Sequence, residues 1–215
     1  MLDPQHVIVI APTGGGKTIL VRRLCWNTPG VAARFVFDWN DRFTYDWNGN
    51  KLPLQSCYSI PQLNAALPTR WGIYNPAREF PGAILDRKIG LAALKHFCRY
   101  VRAVSKGGRG RKIVCNAELW NFCNDDSIPA ELAMLAQDGR SDDIQFVFDT
   151  QRPELLNPSI IGAAREVVCF RHHEAQALRA IGKMMGHSAD VVKNLAKGVF
   201  VSRTLDGAER RGKLF

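Results

Sequence analysis

The stretch at residues 11–18 constrains this chain more than any other part of it. It reads Ala-Pro-Thr-Gly-Gly-Gly-Lys-Thr, with a β-branched run at 6–10 before it and an apolar-periodic segment at 19–25 after it. Strand, glycine-rich loop and helix, in that order, are what a phosphate-binding loop requires. Consecutive glycines let backbone N–H groups turn inward around phosphate oxygens, and the start of the helix adds its positive dipole end. The loop is therefore predicted to bind the phosphates of a nucleotide.

Two side chains complete this loop. Lys17 is expected to reach the β- and γ-phosphates as a point charge, and the Thr18 hydroxyl is expected to ligate Mg²⁺. The stretch matches the Walker A pattern except that Ala11 stands where the first glycine usually does. The predicted cofactors are ATP and Mg²⁺. The predicted nucleotide-binding residues are Pro12, Thr13, Gly14, Gly15, Gly16, Lys17, Thr18 and Ile19.

Strand and helix patterns alternate through the rest of the chain. Strands are expected at 34–37, 71–74, 113–115, 144–148 and 165–170, and helices at 91–104, 129–137, 174–184 and 189–197. Residues 40–59, rich in turn formers, are expected to be loop or a small ribbon. This alternation predicts an α/β fold with a central, mostly parallel sheet flanked by helices. We expect a single domain over residues 1–215, with a C-terminal hairpin at about 199–215 around Asp206-Gly207.

Charge and composition narrow the class of partner. The net charge is +9 over 215 residues, which favours a polyanion such as double-stranded DNA. The glycine-interrupted run with Lys106, Arg109, Arg111 and Lys112 is interpreted either as a loop that contacts DNA phosphates without reading sequence or as a solvated connector. The sequence contains no run of about 18 apolar residues, so no membrane-spanning helix is expected. The six cysteines form no CxxC pair and no signal peptide is evident, so a cytoplasmic location is expected.

Two apolar strands compete for the acidic half of a nucleotide-hydrolysing site. One is followed by Glu118, in the stretch Ile-Val-Cys-Asn-Ala-Glu-Leu-Trp at 113–120, and the other ends at Asp149, in Gln-Phe-Val-Phe-Asp-Thr-Gln-Arg-Pro at 145–153. Each places a carboxylate at the end of a strand, where a metal partner or a water-orienting group is needed. Spacing alone does not choose between them.

The run Thr150-Gln151-Arg152-Pro153 resembles the late strand of the FtsK–HerA superfamily of DNA-pumping ATPases, which carries a polar sensor of the γ-phosphate. Residues 35–39 and 167–171 are similar to two further strands of that family, and the resemblance extends over about residues 5–203. It implies a RecA-like P-loop NTPase in which Gln151 is the sensor and the strand at 113–115 is Walker B. Small size and the lack of a membrane anchor look most like the genome-packaging ATPases of tailless, membrane-containing double-stranded DNA viruses.

The Walker B strand departs from the family pattern, which usually ends in adjacent Asp and Glu. Here the stretch reads Asn116-Ala117-Glu118. The resemblance implies that Glu118 orients the attacking water. Either Asn116 or Ala117 replaces the metal-side Asp, and Asn116 would hold a magnesium-bound water more weakly than a carboxylate. Asp38 and Asp149 are the candidates for the missing charge.

A neighbouring subunit is expected to complete the site. No second cation in cis is evident beside Lys17, and ATPases of this type often take an arginine from the next subunit. Arg140, in a polar stretch before the sensor strand, is the first candidate, with Arg152 and Arg171 as alternatives.

The resemblance implies an ATPase that forms a ring of six subunits and translocates double-stranded DNA into a viral capsid. Its implied partners are capsid or portal vertex proteins, and its implied location is the host cytoplasm or the virion. A filamentous-phage assembly ATPase of the zonula-occludens-toxin type, a nucleotide-binding module without turnover and a small-molecule kinase are the alternatives.

Overall fold

The computed structural model describes residues 6–39, 43, 57, 59–66, 71–76, 87–106, 108–116, 118, 121–123, 127–186 and 189–214. Within these residues the chain forms eight strands and seven α-helices. The strands are β1 Val7–Ile10, β2 Val31–Phe37, β3 Trp71–Tyr74, β4 Arg111–Asn116, β5 Ile144–Thr150, β6 Glu166–Phe170, β7 Val199–Thr204 and β8 Glu209–Lys213. The helices are α1 Lys17–Asn27, α2 Ile60–Ala66, α3 Arg87–Ser105, α4 Ala130–Asp138, α5 Pro158–Ala163, α6 Ala175–Met185 and α7 Ala189–Lys193.

The described strands form one sheet in the order β3-β2-β4-β5-β1-β6-β7-β8. Strands β1 to β6 run parallel to one another, whereas β7 is antiparallel to β6 and β8 is antiparallel to β7. Successive side chains of a strand point to opposite faces. In β1, Val7 and Val9 accordingly pack into one apolar cluster, and Ile8 and Ile10 pack into the other. The mostly parallel α/β sheet predicted from the sequence is confirmed.

Several elements differ from the sequence predictions in their bounds. Helix α7 ends at Lys193, so residues up to 197 belong to a turn before β7 and not to a helix. Helices α2 and α5 were not expected, because each is too short to show a clear apolar period. Helix α5 begins where the Asn157 side chain accepts the Ser159 N–H at 3.0 Å, with Pro158 in its first turn. Most of the predicted loop at 40–59 lies outside the described residues.

The parallel strands place chemically useful residues at one edge of the sheet. Ligands of open α/β sheets bind at the carboxyl ends of the strands, where strand order reverses. Strand β1 lies centrally, between β5 and β6, and the phosphate loop follows it directly. Glu118 comes after β4 and Gln151 after β5, so both reach this carboxyl edge.

The opposite, amino edge holds a different set of residues. The loop before β4 carries Lys106 and Arg109, and the 3-10 turn Gly139–Asp142 before β5 carries Arg140.

None of the helices in the described part of the chain combines the length and apolar character needed to cross a bilayer.

Candidate functional site

The glycines of the phosphate loop have backbone conformations that explain their presence. Gly14 and Gly16 have φ angles of 73° and 99°. Glycine adopts such positive φ angles without the steric penalty that a Cβ would bring. A Cβ on Gly15 would lie 3.0 Å from the Ala11 Cβ and from the Pro12 carbonyl oxygen. Ala11 itself has no positive φ, so its backbone does not need the glycine that the Walker A pattern usually has.

Lys17 lies between two carboxylates. Its Nζ is 3.2 Å from Asp149 Oδ2 and 4.0 Å from Glu118 Oε1. The residue is 5% exposed, and an ammonium group buried to that extent needs anionic partners. The lysine therefore lies in the loop as expected, and it is bonded to the carboxylate of the strand that the family resemblance did not favour.

A chain of side-chain hydrogen bonds links the loop to Glu118. The Thr13 hydroxyl donates to Gln151 Oε1 at 2.8 Å, and Gln151 Nε2 donates to Glu118 Oε1 at 2.9 Å. Asn121 Nδ2 donates to the other Glu118 oxygen at 3.3 Å. The structure thus brings together the predicted base and the predicted sensor, beside the phosphate loop and from strands β4 and β5.

The two aspartates considered for the missing charge have separate environments. Asp149 is 1% exposed and contacts Lys17 directly. Burial raises the pKa of the Asp149 carboxyl, while the Lys17 ammonium and the Glu118 N–H act in the opposite direction. Asp38, also buried, accepts the Phe43 N–H at 2.9 Å. The carboxylate that the structure adds to the site is therefore that of Asp149.

Asn116 is the last residue of β4, between Phe37 of β2 and Phe148 of β5 in the sheet register. It is 1% exposed, and neither its Nδ2 nor its Oδ1 has a hydrogen-bond partner among the residues that the structure describes. A buried amide without partners costs free energy unless a water, an ion or a ligand satisfies it. The side-chain oxygens of Asn116 and half-buried Thr18 are hard donors of the kind that Mg²⁺ prefers, and they fit the expected metal.

A cavity of about 590 Å³ opens in front of the phosphate loop. Its walls are formed by Pro12, Thr13, Gly14, Gly15, Gly16, Lys17, Thr18, Ile19, Glu118, Gln151, Lys197 and Gly198. Sequence reasoning missed Lys197 and Gly198, because it placed Lys197 at the end of a helix and no motif marks the turn. Lys197 is a second cation in cis, contrary to the sequence-based expectation that there was none.

The C-terminal hairpin, formed by β7 and β8, packs against the phosphate loop. The Leu214 N–H donates to the Gly198 carbonyl at 3.0 Å, which ties the two ends of the hairpin together. A Cβ built on Gly16 would lie 2.5 Å from Leu214 Cδ1. Residues almost 200 positions apart in the sequence are thus in contact at the mouth of the cavity.

The predicted basic residues are placed at both edges of the sheet. Arg140 lies at the amino edge, near His6 at the start of β1, and so lies about one strand length, roughly 13 Å, from its own phosphate loop. Arg152 and Arg171 are exposed at the carboxyl edge, after β5 and β6. The structure therefore leaves Arg140 no role in its own site.

Arg111 and Lys112 belong to β4 and not to a flexible cationic loop, so that part of the prediction is wrong for both residues. Lys112 shows this most clearly. It lies within β4, is 5% exposed, and its Nζ donates to the carbonyls of Ser105, Gly108 and Asp142 at 3.3, 2.6 and 2.9 Å. The buried ammonium needs acceptors, and these three carbonyls provide them. Lys106 and Arg109 remain exposed.

Comparisons with known proteins identify solved structures with a similar architecture. No protein-family model and no curated protein matches the sequence. The genome-packaging NTPase B204 of Sulfolobus turreted icosahedral virus 2, solved with ATP-γS, is similar at a TM-score of 0.67 and 15% identity, with 99% of this chain and 98% of that chain covered.

Two larger proteins contain a similar domain. The pCW3 conjugation coupling protein TcpA, solved with ATP-γS, has a TM-score of 0.57 and 15% identity over 98% of this chain and 60% of its own. The type VII secretion ATPase EccC of Thermomonospora curvata has a TM-score of 0.54 and 17% identity over 97% of this chain and 25% of its own. The protein therefore has the fold of a RecA-like P-loop NTPase, which it shares with these three solved structures.

Proposed function

We propose that this chain is an ATPase of the FtsK–HerA type that uses ATP hydrolysis to translocate double-stranded DNA, in the packaging of a viral genome. The observation that carries the proposal is that the phosphate loop, Glu118 and Gln151 line one and the same cavity. Its volume of about 590 Å³ is in the range of small-molecule and cofactor sites. A loop that holds phosphates, a carboxylate and a polar sensor on neighbouring strands are the parts that phosphoryl transfer to water needs.

Each residue has a distinct role in this proposal. Lys17 contacts the β- and γ-phosphates, and Glu118 accepts a proton from the attacking water and orients it. Gln151, bonded to both Thr13 and Glu118, is well placed to report the presence of the γ-phosphate to both sides of the cavity. Thr18 and Asn116 would hold Mg²⁺, which supplies charge neutralisation at the phosphate oxygens.

The nucleic-acid part of the proposal has two supports. A B204 protein with this fold is a DNA-packaging ATPase, which supports DNA as the substrate, whereas EccC uses the same fold in secretion. The chain itself has a net charge of +9, which favours binding to a polyanion. The expected partners are double-stranded DNA and capsid or portal vertex proteins, in a hexameric ring located in the host cytoplasm or the virion.

The exposed cations of the amino edge can be tested as the DNA contact. Binding through phosphates makes the logarithm of the association constant fall linearly with log salt, with a slope of about −0.9 per phosphate neutralised. Replacing Lys106 and Arg109 together with Ala should make the slope less steep by about 1.8. The matched control is a double change to Ala at Arg210 and Arg211, exposed on the edge strand β8. If the salt slope changes only in the Arg210 and Arg211 variant, the DNA contact lies at the β8 end of the sheet and not at the amino edge.

A nucleotide-binding module without turnover is the second candidate, and Asn116 is the observation that favours it. A neutral amide at the end of β4, in place of an acid, weakens any metal shell there. Formation of ADP and phosphate at a rate above that of the Lys17→Ala variant would exclude this candidate.

The central experiment measures ATP turnover and nucleotide affinity with and without double-stranded DNA. Lys17→Ala should abolish hydrolysis and weaken ATP binding, because it removes the cation at the β- and γ-phosphates. Lys183→Ala, which removes an exposed lysine of α6, is the control and should leave both unchanged. Turnover in Lys17→Ala equal to that of the wild type would show that the loop is not a catalytic phosphate site. Turnover that DNA does not change would remove translocation from the proposal.

A further inference from the structure

Asp149 provides a buried carboxylate from the strand next to the one that should carry it. It lies in β5, one position beyond the register pair of Asn116 with Phe148. On β4 the strand-end position is occupied by the neutral amide of Asn116, which no other residue in the described part of the chain satisfies. The carboxylate of this part of the sheet is therefore displaced by one strand, from β4 to β5.

The two oxygens of Asp149 accept from two different donors. Oδ2 lies 3.2 Å from Lys17 Nζ, and Oδ1 accepts the backbone N–H of Glu118. The Asp149 side chain is 1% exposed and that of Lys17 is 6% exposed, so water does not compete for either bond. A buried carboxylate is stable only when its oxygens are satisfied in this way.

The bond to Glu118 holds an unfavourable backbone conformation. Glu118 has a φ of 54°, in the left-handed region that a residue with a Cβ avoids unless its surroundings enforce it. The Asp149 carboxylate fixes the N–H of this residue, and Gln151 fixes its side chain through the 2.9 Å hydrogen bond to Oε1. The direction of the Glu118 carboxylate therefore depends on Asp149.

We infer that Asp149 is a positioning residue of the proposed ATPase site, which sets Lys17 and Glu118 relative to each other through one buried carboxylate. The inference rests on the proposed function for its catalytic part and on the fold alone for its ion pair. Phosphate oxygens of a nucleotide replace Asp149 as the principal partner of Lys17, whereas the bond to the Glu118 N–H persists. Loss of the Asp149 carboxylate should consequently lower the turnover rate more than the affinity for nucleotide.

The ion pair is tested without nucleotide by a double-mutant cycle in thermal unfolding, with Lys17→Met, Asp149→Asn and the double variant. Lys17→Met should lower Tm by roughly 10 °C, because it leaves an unpaired carboxylate in the interior. The double variant should recover most of that loss. The matched control is the exposed pair Arg102 and Asp138, whose nitrogen and oxygen are 3.3 Å apart, and in which Arg102→Met and Asp138→Asn should be additive. Additive shifts at Lys17 and Asp149 would overturn the pairing.

The positioning role is tested by separating turnover from affinity in Asp149→Asn. An amide has one acceptor where the carboxylate has two, so it cannot accept from both Lys17 and the Glu118 N–H. Turnover should fall by about 100-fold, as expected when a catalytic group is misplaced. Affinity for ADP, measured by fluorescence titration in EDTA, should stay within about 3-fold, because Lys17 still binds phosphate. A parallel loss of turnover and affinity would overturn the inference.

These outcomes separate the inference from the proposed function. A wild-type chain that neither binds nor hydrolyses nucleotide would end the proposed function and the catalytic role together, while the unfolding cycle would still decide the ion pair. Wild-type turnover that survives intact in Asp149→Asn would leave the proposed function standing and overturn the positioning role alone.

Discussion

Single residues of this site act through partners that lie far away in the sequence. Gln151 accepts from Thr13 and donates to Glu118, which lie 138 and 33 positions from it. Its amide is therefore oriented from both sides, because only one of its two ends can donate. A γ-phosphate that entered between the loop and Glu118 would contact a side chain whose orientation is already set.

Changes at Glu118 and Gln151 are expected to slow hydrolysis and spare binding. Glu118→Gln removes the proton acceptor but retains the shape, and loss of a general base typically costs about 10² to 10⁴ in rate. Gln151→Ala should lower kcat as well, because it removes the hydrogen bond that orients Glu118. Steady-state turnover and equilibrium ATP binding would measure the two effects.

The control for these variants is Glu131→Gln, which changes a carboxylate of α4 that pairs with Arg99 away from the cavity. ATP affinity should remain near that of the wild type in all three. An unchanged kcat in Glu118→Gln would show that another group orients the water.

His6 predicts a specific dependence of stability on pH. Its Nδ1 accepts the Phe146 N–H at 3.1 Å and its Nε2 lies 2.7 Å from the Ala136 carbonyl, so the folded chain needs the neutral ring. Burial lowers the pKa of His6 from 6.5 to about 4. Since the unfolded chain binds the proton first as pH falls, stability is fully present above pH 6.5 and is lost down to about pH 4.

The loss attributable to His6 should be about 3 kcal/mol across that window. Denaturant unfolding at intervals between pH 7 and pH 4 would measure it, with His6→Asn as the variant that cannot titrate there. The free energy of unfolding of the variant should be lower at pH 7 and should change less with pH. Identical slopes in both proteins would contradict the assignment to His6.

At the scale of elements, Lys112 joins three segments at the amino edge of the sheet. Its ammonium binds the carbonyl of Ser105 at the end of α3, that of Gly108 in the following loop, and that of Asp142 before β5. The lysine thus adds a charged donor to one carbonyl at the helix end and to one in each of the two turns. It acts as an internal link between α3, β4 and β5.

Lys112→Met is therefore expected to reduce stability and to leave DNA binding unchanged. The loss should be roughly 2–3 kcal/mol, the range for hydrogen bonds to a buried charged group. Denaturant midpoints and the salt slope of DNA binding would be measured together, with Lys106→Met as the exposed counterpart. A lower salt slope in Lys112→Met, at unchanged stability, would return this residue to the DNA contact.

The root of the C-terminal hairpin, formed by β7 and β8, brings a cation to the cavity. Lys197 and Gly198 line the cavity, and Gly198 has a φ of 76° that favours glycine. We expect Lys197→Ala to weaken ATP binding by roughly 3- to 10-fold with little change in kcat, because it removes one charge-assisted contact at an exposed site. Lys197→Arg should retain binding, and Lys193→Ala, at the exposed end of α7, is the control in nucleotide titrations. Equal affinities in Lys197→Ala and the wild type would remove Lys197 from the nucleotide contact.

At the scale of the whole molecule, the two edges of the sheet suggest how subunits complete one another. Lys17 and the cavity lie at the carboxyl edge, and Arg140 lies at the amino edge beside His6. An arginine supplied from a neighbour contributes about 10³ to 10⁵ in rate in other phosphate-transfer systems. A ring in which one subunit's amino edge meets the next subunit's cavity would supply Arg140 in this way.

Mixing variants tests this arrangement. Arg140→Ala and Lys17→Ala subunits, each inactive alone and each shown to be folded by its thermal unfolding, should regain activity when mixed. A mixed ring pairs an intact phosphate loop with an intact arginine at some interfaces. Specific activity of the wild type should also rise with protein concentration. Wild-type activity that persists in full on dilution to monomers, with mixtures inactive, would exclude a role for Arg140 in trans.

Features set by short stretches of chain were predictable from the sequence. The phosphate loop is one, because glycines with positive φ, the lysine and the threonine act within eight consecutive residues, 11–18. The central strands are another, since runs that are apolar on both faces identify strands buried in a parallel sheet. Alternation of such strands with helices then restricts the fold to an α/β sheet, and this prediction is confirmed.

Features that depend on long-range packing were decided only by the tertiary structure. Lys17 and Asp149 are 132 positions apart, and no local pattern distinguishes an aspartate that pairs with Lys17 from Asp38, which accepts a backbone N–H. In the sequence Lys112 is one more cation of a basic run, yet in the fold it is buried, with three carbonyls around its ammonium group. Lys197 reached the cavity only because the C-terminal hairpin folds back onto the phosphate loop. Local conformation follows from residue type and spacing, whereas the partner of a buried charge follows from which strands lie side by side, and sequence spacing does not encode that order.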